Sequence, residues 1–153
     1  MITTPELITT KAIITAVIPL RIPCQDMGRY MDPAILEVIK AITRQDIQIT
    51  GPMFTYHKRL PTDFFDFEIG FPVSGTIKEE GRVINSTLPV MNVVRAVYEG
   101  PYSGLVHAWG ELQQWVEANG YKGTGRFWEC YLNNPEEVKY PKDYRTELNW
   151  IIE

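Results

Sequence analysis

One carboxylate stands out by the company it keeps. Glu129 lies in the run Arg126-Phe127-Trp128-Glu129-Cys130-Tyr131-Leu132, whose aromatic content is that of a strand packed in a sheet. Strand alternation places Phe127, Glu129 and Tyr131 on one face and Trp128, Cys130 and Leu132 on the other. On a solvent face, Glu129 is an ordinary surface charge, the commonest fate of a glutamate. Set against the rings, it makes an anionic hole with π-rich walls, and that chemistry suits an organic cation. The same carboxylate could instead orient or deprotonate a water, with the Tyr131 hydroxyl as proton donor or anchor.

Other chemistries find little support in the residues. His57 and His107 have no serine or cysteine motif nearby, so a catalytic triad is not indicated. Cys24 and Cys130 form no CxxC pair and no Cys/His cluster. A zinc site is therefore not expected, and neither is any other metal or cofactor. Gly123-Thr124-Gly125 lacks the lysine and the spacing of a phosphate-binding loop. Lys78-Glu79-Glu80 reads as a solvated turn, and Glu68 and Glu147 as structural strand residues. The net charge of -4, from 15 basic and 19 acidic residues, offers no basic patch for nucleic acid. With 44% hydrophobic, 22% charged and 12% aromatic residues among 153, the composition is that of one soluble domain with a real core. No signal-peptide pattern occurs, and no apolar run approaches the roughly 20 residues that span a bilayer. A cytoplasmic protein with reduced thiols is the expectation.

The elements that must position Glu129 can be read from periodicity. Residues 12–22 are β-branched and apolar and read as a strand. A helix is expected from Asp32-Pro33, an N-cap and a favoured first position, with Ile35, Val38, Ile39 and Ile42 at helical spacing. Gly51-Pro52 marks a turn. Residues 53–58 and 64–73 read as two strands joined by Leu60-Pro61-Thr62-Asp63. Residues 74–88 are polar, a connection with room for one short strand. A strand over 90–98 follows. A second helix is expected to be capped by Ser103, with Leu105, Ala108, Trp109, Leu112, Trp115 and Val116 as its apolar stripe and Asn119-Gly120 as its end. Strands over 125–132 and 146–152 flank a loop containing Asn133-Asn134-Pro135 and Tyr140-Pro141.

This order of strand, helix, strand, strand is written twice, about 12–73 and about 90–153, and short segments repeat with it. Ile14-Thr15-Ala16-Val17-Ile18 parallels Val94-Arg95-Ala96-Val97-Tyr98, Phe54-Thr55-Tyr56 parallels Glu129-Cys130-Tyr131, and Glu68 to Val73 parallels Glu147 to Ile152, at offsets of 80, 75 and 79. The expectation is a single α+β domain of duplicated β-α-β-β units with pseudo-twofold symmetry, an antiparallel sheet, two main helices and a central ligand cleft. On this repeat, Phe54 and Tyr56 stand where Glu129 and Tyr131 stand in the other half, so a ring would oppose the carboxylate.

Three pieces of the chain carry a family resemblance. They are Tyr98-Glu99-Gly100-Pro101-Tyr102, Trp128-Glu129-Cys130-Tyr131-Leu132-Asn133-Asn134-Pro135, and Asp66-Phe67-Glu68-Ile69-Gly70-Phe71-Pro72-Val73. With the duplicated pattern they resemble the GyrI-like small-molecule-binding family, of the fold shared with SOUL and heme-binding proteins. That family also supplies effector-binding domains to AraC-type and MerR-type multidrug-responsive regulators. The resemblance implies a pocket for bulky, often cationic aromatic compounds around a central glutamate, which Glu129 matches. The pattern begins near residue 12 and leaves no room for a helix-turn-helix domain. The expectation is a stand-alone module, monomeric or weakly dimeric, without direct nucleic-acid binding or membrane insertion.

Two functions compete on these residues. The first is a non-catalytic module that senses or sequesters a hydrophobic, cationic aromatic molecule. Glu129 is its anchor, with Tyr131, Tyr56, Phe54, Phe71, Trp109, Trp150 and Tyr98 as candidate lining residues. Trp109 on its helical stripe, Tyr98, and Phe71 and Trp150 as repeat partners are equally suited to the core. The second, drawn from the resemblance, is a hydrolase of strained, cyclopropane-bearing genotoxins, with Glu129 and Tyr131 catalytic. A protein-inhibiting role would call for an acidic surface stripe, and the charge balance shows none.

Overall fold

The computed structural model describes residues 2–133 and 137–153, so Asn134 and Pro135 of the expected loop lie outside them. β-branched and aromatic segments alternate with two amphipathic ones, and the fold is accordingly α+β. The described residues form eight antiparallel strands and two α-helices. They divide into two compact units, residues 11–89 and residues 1–10 with 90–153.

In the first of these units, β2 is Ile13–Pro23, α1 Met27–Thr43, β3 Phe54–His57, β4 Phe64–Pro72 and β5 Ile84–Leu88. The lateral order is β3, β4, β2, β5. Alternate residues of β2 (Ala16, Ile18, Leu20, Ile22) and of β4 (Phe67, Ile69) face Ala34, Val38, Ala41 and Ile42 of α1 in one apolar cluster. These are the helical and period-two positions that the sequence marks. The other sheet face carries Val17, Gly70 and Phe54, with Gly70 cross-strand from both others. A Cβ on Gly70 would run into the Ala16 backbone, so glycine permits this close pairing.

Helix α1 starts earlier than Asp32-Pro33. It begins at Met27, after a short 3-10 turn at Cys24–Asp26, and Pro33 lies within it. Proline there removes one helical hydrogen bond. Met27 and Met31 nevertheless pack on the core cluster, and that burial extends the helix upstream of the proline.

The second unit comprises β1 Glu6–Thr9, β6 Asn92–Glu99, α2 Leu105–Ala118, β7 Gly123–Tyr131 and β8 Arg145–Ile152, in lateral order β7, β8, β6, β1. Ala108, Leu112 and Val116 of α2 pack on Val94, Ala96, Leu148 and Trp150. Ser103 does not cap this helix. A 3-10 turn over Tyr102–Gly104 leads into it, and Gly104 occupies the cap position without a side-chain bond. Asn119-Gly120 ends it as expected, with Gly120 at φ 77°. No helix among the described residues is long and apolar enough to cross a membrane.

The units repeat each other element for element: β2, α1, β3 and β4 correspond to β6, α2, β7 and β8. The edge strands are exchanged. β1 precedes the first repeat in the chain but pairs with β6, Glu6 opposite Arg95 through Thr9 opposite Asn92. β5 precedes the second repeat but pairs with β2, Ile13 opposite Leu88 through Val17 opposite Ile84. The sequence reading left room for β5 and missed β1, a four-residue strand too short to show a period.

His57 lies on the α1 side of its unit, cross-strand from Phe67 and stacked on that ring at 5.0 Å. It is 2% exposed, and burial lowers its pKa from 6.5 to about 4. The folded protein thus holds a neutral imidazole where the unfolded chain takes up a proton. Stability is full above about pH 6.5 and falls as the pH drops through the window toward 4, by up to about 3 kcal/mol. Urea unfolding of the wild type and His57→Phe across pH 7 to 4 is expected to show the wild type losing this much more than the variant. Parallel curves would refute it.

Candidate functional site

The sequence places Glu129 within β7 by alternation, and pairing with β8 fixes its face. Phe127 is opposite Trp150, Glu129 opposite Leu148 and Tyr131 opposite Thr146. Leu148 and Trp150 belong to the cluster beneath α2, so Glu129 points to the helix side. It is 8% exposed. Its two carboxylate oxygens are held by two different aromatic side chains. The Trp109 indole N–H donates to Oε2 at 2.9 Å, and the Tyr131 hydroxyl donates to Oε1 at 3.0 Å. Hydrogen bonds to an ionised acceptor are roughly twice as strong as neutral ones. Trp109 reaches the carboxylate from the flank of α2, one residue after buried Ala108, while Tyr131 comes from the same strand two residues on.

Rings continue on both sides of this pair of bonds. Phe127 meets Trp109 edge-on at 4.8 Å and stacks with Trp150 at 5.9 Å, and Trp109 lies 5.8 Å from Trp150. The Trp150 indole occupies the space that a side chain at position 123 would fill, so Gly123 is its seat. A register shift in β7 between Gly123 and Phe127 makes this local break from regular pairing. On the other side, Tyr131 meets Tyr102 edge-on at 5.9 Å, and Tyr102 stacks on Tyr144 at 4.8 Å. Burial raises the pKa of the Tyr102 hydroxyl above its usual 10.0, with Tyr144 and the charge of Glu129 adding to the effect. An arrangement of this kind can hold a positive charge beside the carboxylate and aromatic groups against the rings.

The expected residues fall into three groups. Glu129, Tyr131, Trp109 and Trp150 come together in one unit around the carboxylate. Tyr98 is in the same unit's core, its hydroxyl donating to the Pro101 carbonyl at 2.9 Å. Its ring lies under Gly100 and Gly104, neither of which has room for a Cβ, so it anchors the turn that carries Tyr102. Phe54, Tyr56 and Phe71 belong to the other unit. Phe71 packs on the α1 cluster. Phe54 and Tyr56 are opposite Gly70 and Glu68, on the face turned away from α1.

That placement corrects the repeat by one residue. With Ile69 corresponding to Leu148, the counterpart of Glu129 is Thr55, opposite Ile69, and the counterpart of Tyr131 is His57, opposite Phe67. The segment Phe54-Thr55-Tyr56 shares only its tyrosine with Glu129-Cys130-Tyr131. Ring identity misled, because a one-residue slip turns every side chain to the other face. The Thr55–His57 pair echoes the other half in a further respect: His57 Nε2 and Thr55 Oγ1 are 3.2 Å apart, as neighbours two apart on one face can be. Tyr102 and Tyr144 were not among the expected residues. Tyr102 stood in the Gly-Pro-Tyr piece, read there only as family evidence. Tyr144 lies in a loop whose sequence has no period to read.

Among the described residues, no group of three or more His, Cys, Asp or Glu is placed to hold a metal ion. Cys24 and Cys130 are both free thiols. Burial, with Glu147 adding to it, pushes the Cys130 thiol up to about 12, which makes it a poor nucleophile.

Comparison with known proteins bears on this site. A family model, the GyrI-like small molecule binding domain, matches residues 3–151. Among solved structures, the chain is similar to the EcmrR C-terminal domain, with a TM-score of 0.87 at 24% identity, covering 98% of this chain and 97% of that one. It is similar to EcmrR in its complex with DNA, also at 0.87 and 24%, covering 99% of this chain and 57% of the other, so it spans a little over half of that protein's length. It is also similar to SAV2435 bound to tetraphenylphosphonium, with a TM-score of 0.69 at 10% identity, covering 99% and 94%. At these identities the likeness is one of fold. Among curated proteins, no match was found.

The seat of Tyr98 is open to a direct test. Gly104 has φ −90°, so alanine there strains no backbone, and the nearest obstacle to its Cβ is the Tyr98 hydroxyl. Gly104→Ala is expected to cost about 1–3 kcal/mol by overpacking. Adding Tyr98→Phe, which removes that hydroxyl, is expected to recover part of the loss, a coupling that a double-mutant cycle in urea measures. Strictly additive losses would refute the contact.

Proposed function

We propose that this chain, which belongs to the GyrI-like small molecule binding domain family, binds hydrophobic organic cations carrying aromatic groups, with Glu129 as the anionic anchor. The observation that carries the reading is the Glu129 carboxylate, 8% exposed and bonded by Trp109 and Tyr131. A carboxylate so far from water is costly, by several kcal/mol when uncompensated. Charge-assisted bonds, those from Trp109 and Tyr131 among them, offset that cost and orient the group. A ligand cation beside the carboxylate gains Coulomb attraction in this poorly solvated site, and each well-placed ring adds about 0.5–2 kcal/mol. Trp109, Tyr131, Phe127 and Trp150 supply the rings. The tetraphenylphosphonium bound to SAV2435 is a lipophilic aromatic cation, and it is the natural first probe for this chain.

The role is sensing or sequestration. A regulatory readout through DNA would be supplied by a further domain or partner, as the EcmrR–DNA complex suggests by analogy of fold. A second reading, hydrolysis of a strained electrophile, draws on the 3.0 Å contact between the Tyr131 hydroxyl and Glu129. An acid and a base on one face of a strand can relay a proton to and from a water.

Titration of the wild type and Glu129→Gln with tetraphenylphosphonium, followed by tryptophan fluorescence, tests the anchor. The variant keeps the shape and loses the charge. Its affinity is expected to fall by about 1–3 kcal/mol, roughly 5-fold to 150-fold. Undiminished binding would remove Glu129 from its role. Mass spectrometry of an incubated cyclopropane-bearing probe separates the readings, since hydrated product formed with turnover would favour the hydrolase.

A further inference from the structure

On its α2 side, the second unit buries a hydroxyl. Thr146 lies on β8, cross-strand from Tyr98 in β6 and from Tyr131 in β7. It alternates with Leu148 and Trp150 of the cluster beneath α2, so its side chain is on the same sheet face as Glu129. It is 0% exposed, and its Oγ1 has no hydrogen-bond partner among the described residues. The hydroxyls on either side donate elsewhere, Tyr98 to the Pro101 carbonyl at 2.9 Å and Tyr131 to Glu129 at 3.0 Å.

A buried hydroxyl that bonds nothing costs stability, because water satisfies it in the unfolded chain. Valine has nearly the same shape, favours strands at least as well, and carries no such cost. The fold does not call for a hydroxyl at this place. With Ile69 corresponding to Leu148 and His57 to Tyr131, the counterpart of Thr146 is Phe67. That ring is 1% exposed and stacks on His57 at 5.0 Å. Where the first unit fills the position with a phenyl ring, the second keeps a small side chain with an unmet donor. The position is also close to the anchor. Leu148 is directly opposite Glu129, and Thr146 is two residues from Leu148 on the same face, about 7 Å along the strand.

We propose that the Thr146 hydroxyl is a hydrogen-bonding subsite that selects, among lipophilic cations held at Glu129, those carrying an oxygen acceptor such as an ether. The inference rests on the reading of Glu129 as anchor. The hydroxyl donates to the ligand oxygen and is thereby satisfied. A hydrocarbon cation of the same size and charge receives the anchor and leaves the hydroxyl orphaned.

Calorimetric titration of the wild type, Thr146→Val, Thr146→Ala, Thr146→Ser and Glu129→Gln tests this. The probes are methoxyethyltriphenylphosphonium and butyltriphenylphosphonium, which differ only by an ether oxygen in place of a methylene. Thr146→Val and Thr146→Ala are each expected to weaken the ether probe about fivefold relative to the butyl probe, the scale of one hydrogen bond. Thr146→Ser keeps the hydroxyl and is expected to keep the wild-type ratio. Urea unfolding without ligand is expected to show a higher midpoint for Thr146→Val than for the wild type, since the orphan is gone. An unchanged ratio in both variants that lack the hydroxyl would overturn the subsite. So would a urea midpoint for Thr146→Val at or below that of the wild type, the mark of a hydroxyl the fold already uses. Glu129→Gln is expected to weaken both probes alike. A Glu129→Gln effect with no change of ratio in the Thr146 variants removes the subsite and leaves the anchor; no Glu129→Gln effect removes the anchor itself.

Discussion

A negative charge kept out of water is the constraint around which one half of this molecule is arranged. Glu129 lies where neighbouring strand residues bury rings, and its carboxylate is met by an indole N–H and a phenol O–H. Both donors belong to side chains whose bodies are apolar. The same residues can therefore line an oily wall and satisfy an anion. An amide or a lysine would satisfy the charge equally well, but would not leave a surface for aromatic groups.

The remaining parts of that unit act as mountings. Gly123 leaves space for Trp150, and Gly100 with Gly104 leaves space for Tyr98. In each case the absence of a side chain lets a large ring sit against backbone, and the ring fixes the segment above it. The register shift in β7 lies just before Phe127. It absorbs the irregularity at Gly123 and restores regular pairing by the time the strand reaches Glu129. Precision at a binding site depends on this kind of support as much as on the contacting groups.

The fold and the carboxylate were legible in the sequence for different reasons. Strand alternation put Phe127, Glu129 and Tyr131 on one face, and pairing with β8 places them so, because a half-buried strand has only two faces to choose from. The α2 stripe was readable because Ala108, Leu112 and Val116 all meet one sheet. Residue chemistry misled where it conflicted with packing. Asp32-Pro33 is a strong start signal, yet α1 begins at Met27 because apolar contacts upstream outweigh it. Tyr56 matches Tyr131 in residue type but not in register, and Thr55 and His57 take the places that correspond to Glu129 and Tyr131. Tyr144 had no local signal at all. Its position is set by a loop meeting another loop from more than 40 residues earlier in the chain, and such pairings leave no trace in local periodicity.

The exchanged edge strands give the duplication a further meaning. β1 lies ahead of the first repeat but completes the sheet of the second, while β5 lies ahead of the second and completes the first. Residues 11–89 thus carry their own edge strand, while the second unit draws its edge strand from the far end of the chain. Cutting the polypeptide between the units would part β1 from β6 and leave β6 with an open edge, the usual template for association with other chains. The pairing has the connectivity of a strand exchange between repeats. One unit carries a threonine and a histidine where the other carries a carboxylate and a tyrosine, so only one of the two faces offers a charge.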